Sequence, residues 1–522
     1  MYGVDGYVQY INTLGLNRVD YQRTLPGISK VRKLHNLAGW GVGVQYRVHC
    51  PDVQTALRGL IQRVFLHKET AGGVAYLLPP HKPTRELVLE KLGKSRSNLL
   101  RRTYTVLPYT RERFLAPLSG SKLARYVAGA DAYEEHGVTP KDAYLQTFVK
   151  AEKLNVSAKE DPDPRVIQPR TPKYCYALGR YIKAAEHSIY QAIDRMMGGK
   201  TVMKGLNADK RGQAFLAAWN QFVDPVAVGL DASRFDQHVS RALLEFEHSV
   251  YNSMFRDPEL KALLKMQLVN KGFVRCEDGN IKYTVDGSRM SGDMNTSLGN
   301  VLLMCLMVDG FLSEAALNAR LLNDGDDCVL IMEHKDLWKL DALPSYFTQL
   351  GMIMKVEEAV SILEEIEFCQ SHPVEITPGK WRMVRDPRTV LSKDCHVVKP
   401  VNNLGTWKMF RYAISQCGLS LAGDVPVFNE FYTALGRGAD LSKRSRSKLA
   451  SRGPETGMDY LSLGMKAKYR EPHTCCRISF AKAFNIWPDT QVAMEQKYRT
   501  LEAVWRTPED CSHVVDVFDL YN

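Results

Sequence analysis

Apolar residues along this chain fall into short dense runs and into longer stretches with helical spacing. Pro225-Val226-Ala227-Val228-Gly229-Leu230 is dense, rich in β-branched residues and opened by a proline, and it predicts a buried strand. Arg320-Leu321-Leu322 and Cys328-Val329-Leu330-Ile331-Met332 flank Asn323-Asp324-Gly325-Asp326-Asp327. Apolar runs joined by a Gly/Asn/Asp turn predict a β-hairpin, because those residues accept the positive φ of a tight turn. The run from Val301 to Val308 predicts a core helix, entered from the polar loop Ser291–Asn300. Helical spacing with one buried face recurs near 241–269, at 408–421 and at 495–506. Residues 37–48 are glycine-rich and suggest strands.

The polar positions between these elements carry the candidate chemistry. Adjacent carboxylates at the tip of a hairpin repel one another, and a divalent cation with oxygen ligands relieves that cost. The Pro225–Leu230 strand runs into Asp231-Ala232-Ser233-Arg234-Phe235-Asp236, and the C-terminal end of a core strand is where open sheets hold ligands. With that strand beside the hairpin, Asp231 and Asp326 would share two metal ions roughly 3.5–4 Å apart. The plainer alternative is an Asp231 that caps the next helix and an Asp236 solvated on its first turn. Thr296 and Asn300, four residues apart, face one side of the predicted helix, either to hydrogen-bond a sugar hydroxyl or simply to cap the helix.

Composition narrows the class without deciding it. At 522 residues and 45% hydrophobic, the chain has material for two or three domains or lobes. A formal charge of +11 suits a protein that holds polyanions, whether enzyme, capsid or another RNA-binding protein. Basic residues recur at 96–102, at 111–125 and in the cluster at 442–452; Tyr104, Tyr109 and Phe114 stand among them, to stack on bases or to serve as core. Eleven cysteines without regular spacing argue for reduced thiols, and Cys475-Cys476 beside His473 lacks the partners of a zinc site. There is no Walker loop, no secretory signal and no uninterrupted apolar run of about 18 residues; the run 301–308 stops at Asp309.

Order and spacing go further than any single element. The wording GLDASRFDQHVS, SGDMNTSLGN and NDGDDCVLI, in that order, resembles motifs A, B and C of the palm of viral RNA-dependent RNA polymerases, most closely those of tombusvirus-like plant positive-strand RNA viruses. The resemblance implies an α+β right-hand polymerase fold, with an antiparallel palm sheet flanked by helices and a mostly helical thumb. It implies fingers and fingertips at 1–199, palm at 200–238 and 290–380, a fingers insertion at 239–289 and thumb at 381–522.

It further implies template-directed RNA synthesis from NTPs with two Mg²⁺ or Mn²⁺ ions on Asp231, Asp326 and Asp327. Asp236, Ser291, Thr296 and Asn300 would select ribose, since a 2′-OH rewards polar partners. QLGMIMKVEEAV resembles motif D and implies Lys355 as general acid; EFCQSHP resembles motif E and implies Cys369, Gln370 and Ser371 at the primer end. Upstream residues resemble motif F and imply Lys150 and Arg165 on the triphosphate first, and after them Arg170, Lys153 and Lys173; alternation on a strand would set the basic residues on one face. The implied partners are template and nascent RNA and a membrane-anchored viral replicase protein, with host factors unspecified, at membrane-bound complexes in the host cytoplasm. A reverse transcriptase-like enzyme and a non-catalytic basic RNA-binding protein are the competing readings.

Overall fold

The computed structural model describes residues 17–23, 31–40, 43–72, 74–441 and 458–505, which form an α+β protein. The basic cluster at 442–452, residues 1–16 and the chain beyond 505 lie outside the described residues. At the centre is an antiparallel four-stranded sheet, ordered Ala319–Asn323, Asp327–Glu333, Pro225–Ala232, Met354–Val356. Its strands carry dense apolar runs because both faces are covered.

Successive side chains divide between two cores, as the two-residue period of a strand requires. Val226, Val228, Leu230, Cys328, Leu330 and Met332 join the large core built on the helices Pro172–Met196, Arg241–Phe255 and Thr296–Glu314. Ala227, Val329 and Ile331 face the other way, against Phe215 of the helix Ala208–Trp219 and against Phe368. The helix Thr296–Glu314 is the most deeply set element: Val301 through Val308 are fully buried. It alone among the described helices is long and apolar enough to cross a membrane, and it sits in this core. The helix does not stop where the apolar run does. It continues through Asp309, whose carboxyl burial pushes above its ordinary range while Ser95 hydrogen-bonds it.

The region 239–289 is only partly helical. Two helices, Arg241–Phe255 and Pro258–Lys265, give way to the strands Val269–Cys276 and Gly279–Asp286. Those strands enter a five-stranded sheet with Arg18–Arg23, Leu145–Val149 and Val166–Ile167. The basic stretch expected as an extended strand is strand only over Val166–Ile167; Thr171 then caps the helix begun by Pro172, a residue well suited to the first helical turn. That helix packs into the same large core as the central sheet.

Beyond the sheet, the hairpin Ser371–Thr377/Lys380–Arg385 leads into helices that include Leu404–Ala422, Phe428–Gly436, Thr474–Phe484 and Pro488–Thr500. Leu37 and Ala38 share the core of these helices, and the Trp407 indole donates to the Leu37 carbonyl (2.8 Å). An N-terminal segment is thereby seated in the C-terminal lobe. Among the described residues of the glycine-rich stretch at 37–48, Tyr46–Arg47 forms a two-residue strand, and His35–Asn36 forms another just before the stretch. The helix expected at 495–506 ends at Thr500. Leu501, Ala503 and Trp505 pack at alternate positions, the period of extended chain rather than helix.

Candidate active site

The register of the central sheet brings the predicted carboxylates together. Asp231 is directly opposite Asp327 on one neighbouring strand and opposite Lys355 on the other. Residues opposed in antiparallel strands point to the same face, with Cα atoms about 4.5–5.5 Å apart. All three side chains therefore share one face, the one that Ala227, Val329 and Ile331 occupy further along the strands. At that end of the sheet the face opens: Asp231, Asp326, Asp327 and Lys355 are all exposed. A cavity of about 410 Å³ is lined by Asp231, Asp327, Glu357, Glu367, Cys369 and Gln370 among others.

The hairpin tip is shaped by its own sequence. Gly325 has φ +103°, a conformation that side chains disfavour. Asn323 closes the turn by accepting from the Gly325 N–H (3.1 Å) and donating to its carbonyl (2.6 Å). Asp324 is neutralised by Lys204 (2.6 Å) and Arg211 (2.7 Å). Asp326 and Asp327 have no ion pair among the described residues. Partial burial, then the charges of Asp326, Asp324 and Asp231, push the Asp327 carboxyl above its ordinary range; the Cys369 thiol, 3.5 Å away, opposes this. Cys369 and Gln370 both have positive φ, and Phe368 and Ser371 exchange backbone hydrogen bonds across them. This is a two-residue turn of the I′ kind, and it carries the predicted Cys369 and Gln370 to the carboxylate cavity.

Asp236 lies just past the strand, half-buried on the short helix Phe235–His238. Asn300 donates to it (2.8 Å), joining two residues 64 positions apart. Burial raises the Asp236 carboxyl; Asn300 and the Arg289 charge oppose the rise, and Asp326 adds to it. Ser291 is half-buried, and its carbonyl accepts from the Gln168 N–H (2.7 Å). The Thr296 hydroxyl is committed to the Met290 carbonyl (3.0 Å). The loop does not cap its helix with a side chain, because Asn295, at the capping position, is directed to Glu247 and Gln267 instead.

The predicted basic residues divide. The Lys150 N–H donates to the Arg165 carbonyl (2.8 Å), and both side chains pair with Glu152 (3.1 and 3.5 Å). Arg165 is exposed and its charge reaches Asp236. Arg170 does not stand at a surface: it is 1% exposed, bound to Asp293 (2.5 and 3.0 Å), the Ala143 carbonyl and Asn270. Its guanidinium is consumed inside the protein, anchoring the Ser291–Asn300 loop through Asp293. Lys153 donates to the carbonyls of Lys393 and His396, and burial brings its ammonium down to about 8; Lys173 pairs with Asp142 (2.9 Å). Phe114 is core, and Arg113 stacks over Tyr109. Glu357 and Glu367 were missed, although Glu357 follows Lys355 at the two-residue spacing of a strand face.

The donor set suits a hard divalent cation: exposed carboxylates gathered at the end of two paired strands and the turn between them, with oxygen as their only ligand atom. Among the described residues no three such side chains already stand at ligand spacing, so the fit rests on donor chemistry and register.

A family model described as viral RNA dependent RNA polymerase matches residues 21–506. The chain is 42% identical over 476 residues to the RNA-directed RNA polymerase of Pothos latent virus (isolate Pigeonpea/India), covering 90% of this chain and 61% of that protein. It is 41% identical over 473 residues to that of Tobacco necrosis virus (strain A), covering 90% and 64%. It is 43% identical over 421 residues to that of Tomato bushy stunt virus (strain Cherry), covering 79% and 50%. The chain thus spans between half and two thirds of the length of these relatives.

Proposed function

The chain belongs to the viral RNA-dependent RNA polymerases, and on that premise we propose that it copies the RNA genome of a positive-strand plant virus by template-directed transfer of nucleotides from NTPs to an RNA 3′-OH. The observation that carries this reading is the opposition of Asp231 and Asp327 at the open end of the central sheet, with Lys355 on the other side of Asp231.

In this proposal Asp231, Asp326 and Asp327 hold two divalent cations, Mg²⁺ or Mn²⁺. Cations bound there lower the proton affinity of the attacking hydroxyl and steady the leaving oxygen. Lys355 gives its proton to the departing pyrophosphate. Asp236 accepts the ribose 2′-OH with Asn300 fixing its carboxylate, and Ser291 and Thr296 shape the loop beside them. Lys150 and Arg165 pair with the triphosphate, Arg165 through its planar fork. Cys369 and Gln370 face the primer end, while Ser371, buried at 5% exposed, supports the turn through its hydroxyl on the Cys369 carbonyl.

The central sheet and its helices would be the palm, the five-stranded sheet with its helices the fingers, and the C-terminal helices the thumb. RNA template and product occupy the space between them. The proposal also includes a membrane-anchored viral replicase partner that brings the chain to membrane-bound complexes in the host cytoplasm.

The test is labelled-NTP incorporation on a short RNA template, with and without primer, in Mg²⁺ and in Mn²⁺, beside Asp326→Asn. Incorporation by the wild type that disappears in the variant supports both the activity and its site. RNA binding without incorporation would favour a non-catalytic RNA-binding role, and strong preference for dNTPs a reverse transcriptase.

A further inference from the structure

Arg289 meets Asp236 twice, through its peptide N–H directly and through its guanidinium by way of Asn300. The Arg289 N–H donates to the Asp236 carbonyl (2.9 Å), and the Ser288 hydroxyl donates to the same oxygen (3.3 Å). Through its side chain, Arg289 Nε donates to Asn300 Oδ1 (3.1 Å), and Asn300 Nδ2 donates to Asp236 Oδ1 (2.8 Å). A free amide can turn either end to a neighbour, but a guanidinium has donors only. Contact with Arg289 therefore points the Asn300 oxygen away from Asp236 and its NH₂ toward it. The reverse orientation would set an amide oxygen against a carboxylate.

The guanidinium is itself anchored on Glu247, a pair whose side chains are 1% and 0% exposed. Glu247 also accepts from Asn295 Nδ2 (2.8 Å) and from the Tyr251 hydroxyl (2.9 Å). Its carboxyl is opposed by burial yet held below the ordinary range, chiefly by Arg289. The helix Thr296–Glu314 passes so close that a Cβ at Gly299 would lie 2.4 Å from Glu247 Oε1 and 2.5 Å from Arg289 Nη2. A buried ion pair is poor value for stability alone, since apolar side chains of similar volume often serve as well or better. What such side chains cannot supply is a directional donor for Asn300.

We propose that Glu247 and Arg289 are positioning residues for sugar selection: the buried pair fixes the Asn300 amide, so that the Asp236 carboxylate meets the 2′-OH of an incoming ribonucleotide. The inference rests on the polymerase reading and extends its sugar-selecting set to two residues that touch neither substrate nor cation.

The test compares Arg289→Lys, which keeps the charge but lacks Nε, with Glu247→Gln, which keeps the shape but loses the charge. Tyr251→Phe is the control, because it removes a hydrogen bond to the same carboxylate that does not lead to Asn300. For each, kcat and KM are measured with NTPs and with dNTPs, and the melting transition is recorded. Arg289→Lys and Glu247→Gln are expected to raise KM for NTPs and to lower NTP-over-dNTP discrimination about tenfold, the worth of one charge-assisted hydrogen bond. dNTP use should change little, and Tyr251→Phe should lower the melting temperature with discrimination within about twofold of wild type. If Arg289→Lys lacks a native melting transition, Glu247→Gln carries the comparison. An active wild type with unchanged discrimination in the variants overturns the positioning role alone, as does an equal fall in Tyr251→Phe. A wild type that incorporates no nucleotide overturns the polymerase reading and this inference with it.

Discussion

The interior of this protein and the open end of its central sheet treat carboxylates in opposite ways. Inside, three buried acids each have an arginine: Asp293 with Arg170 (2.5 Å), Glu247 with Arg289, Asp394 with Arg385 (2.7 Å). At the sheet's end Asp231, Asp326 and Asp327 crowd together, and none of them forms an ion pair among the described residues. Asp324, one residue from the crowd, is matched by Lys204 and Arg211. The protein thus matches these buried acids with arginines and leaves Asp231, Asp326 and Asp327 without a cationic partner where two strands meet. Bare carboxylates in register are a standing electrostatic cost that a bound cation removes.

The sharpest break of this contrast is at the bare set. Asp231→Ala or Asp326→Asn should lower nucleotide incorporation by more than about a thousandfold, since the transition-state charge loses its counter-ion. RNA binding, read by a filter or anisotropy assay, should stay within about twofold, because the removed charge is not basic. The matched set should fail differently. Arg170→Met leaves Asp293 buried without a cation and should cost about 3–5 kcal/mol in denaturant unfolding, the usual penalty of half a buried pair. Lys355→Ala should slow turnover about a hundredfold with little change in KM, as for a lost general acid.

The smallest effect concerns pH and separates the two regions by sign. Asp327 is raised in the folded chain, by burial and then Asp326. A carboxyl raised on folding binds its proton more tightly there, so the cation-free protein loses stability as pH rises from about 4, the unfolded value, through the folded one. Glu247 and Asp394 are both lowered, their arginines outweighing burial, and their contribution is present above the unfolded value and lost as pH falls through the folded one. Asp327→Asn should therefore stabilise the cation-free protein near pH 7, by no more than about 0.5 kcal/mol given solvent screening. The gain should vanish on acidification toward pH 4, as followed by denaturant midpoints.

The same distinction governs what could be read from the sequence. The hairpin and the Pro225–Leu230 strand were legible because both faces of the sheet are covered, which leaves dense apolar runs around the acidic tip. The pairing of Asp231 with Asp327 was not, because register depends on strands 96 residues apart settling side by side. Arg170 misled for a related reason: an arginine suits a phosphate or a buried carboxylate equally, and its partner Asp293 lies 123 residues away. The strands Val269–Cys276 and Gly279–Asp286 were overlooked although Ile281, Tyr283 and Val285 alternate to one buried face. At 501–505 helical periodicity was extended over residues whose apolar spacing had already changed to two.

If divalent cation completes the three bare carboxylates, Mn²⁺ should bind the folded protein there. The melting temperature of the wild type and of Asp231→Asn would be followed as Mn²⁺ is raised to millimolar concentration. The wild type should rise with Mn²⁺ in the way a ligand bound only to the folded state requires, and the variant should stay nearly flat. A wild type indifferent to Mn²⁺, or a variant that responds equally, would contradict the account.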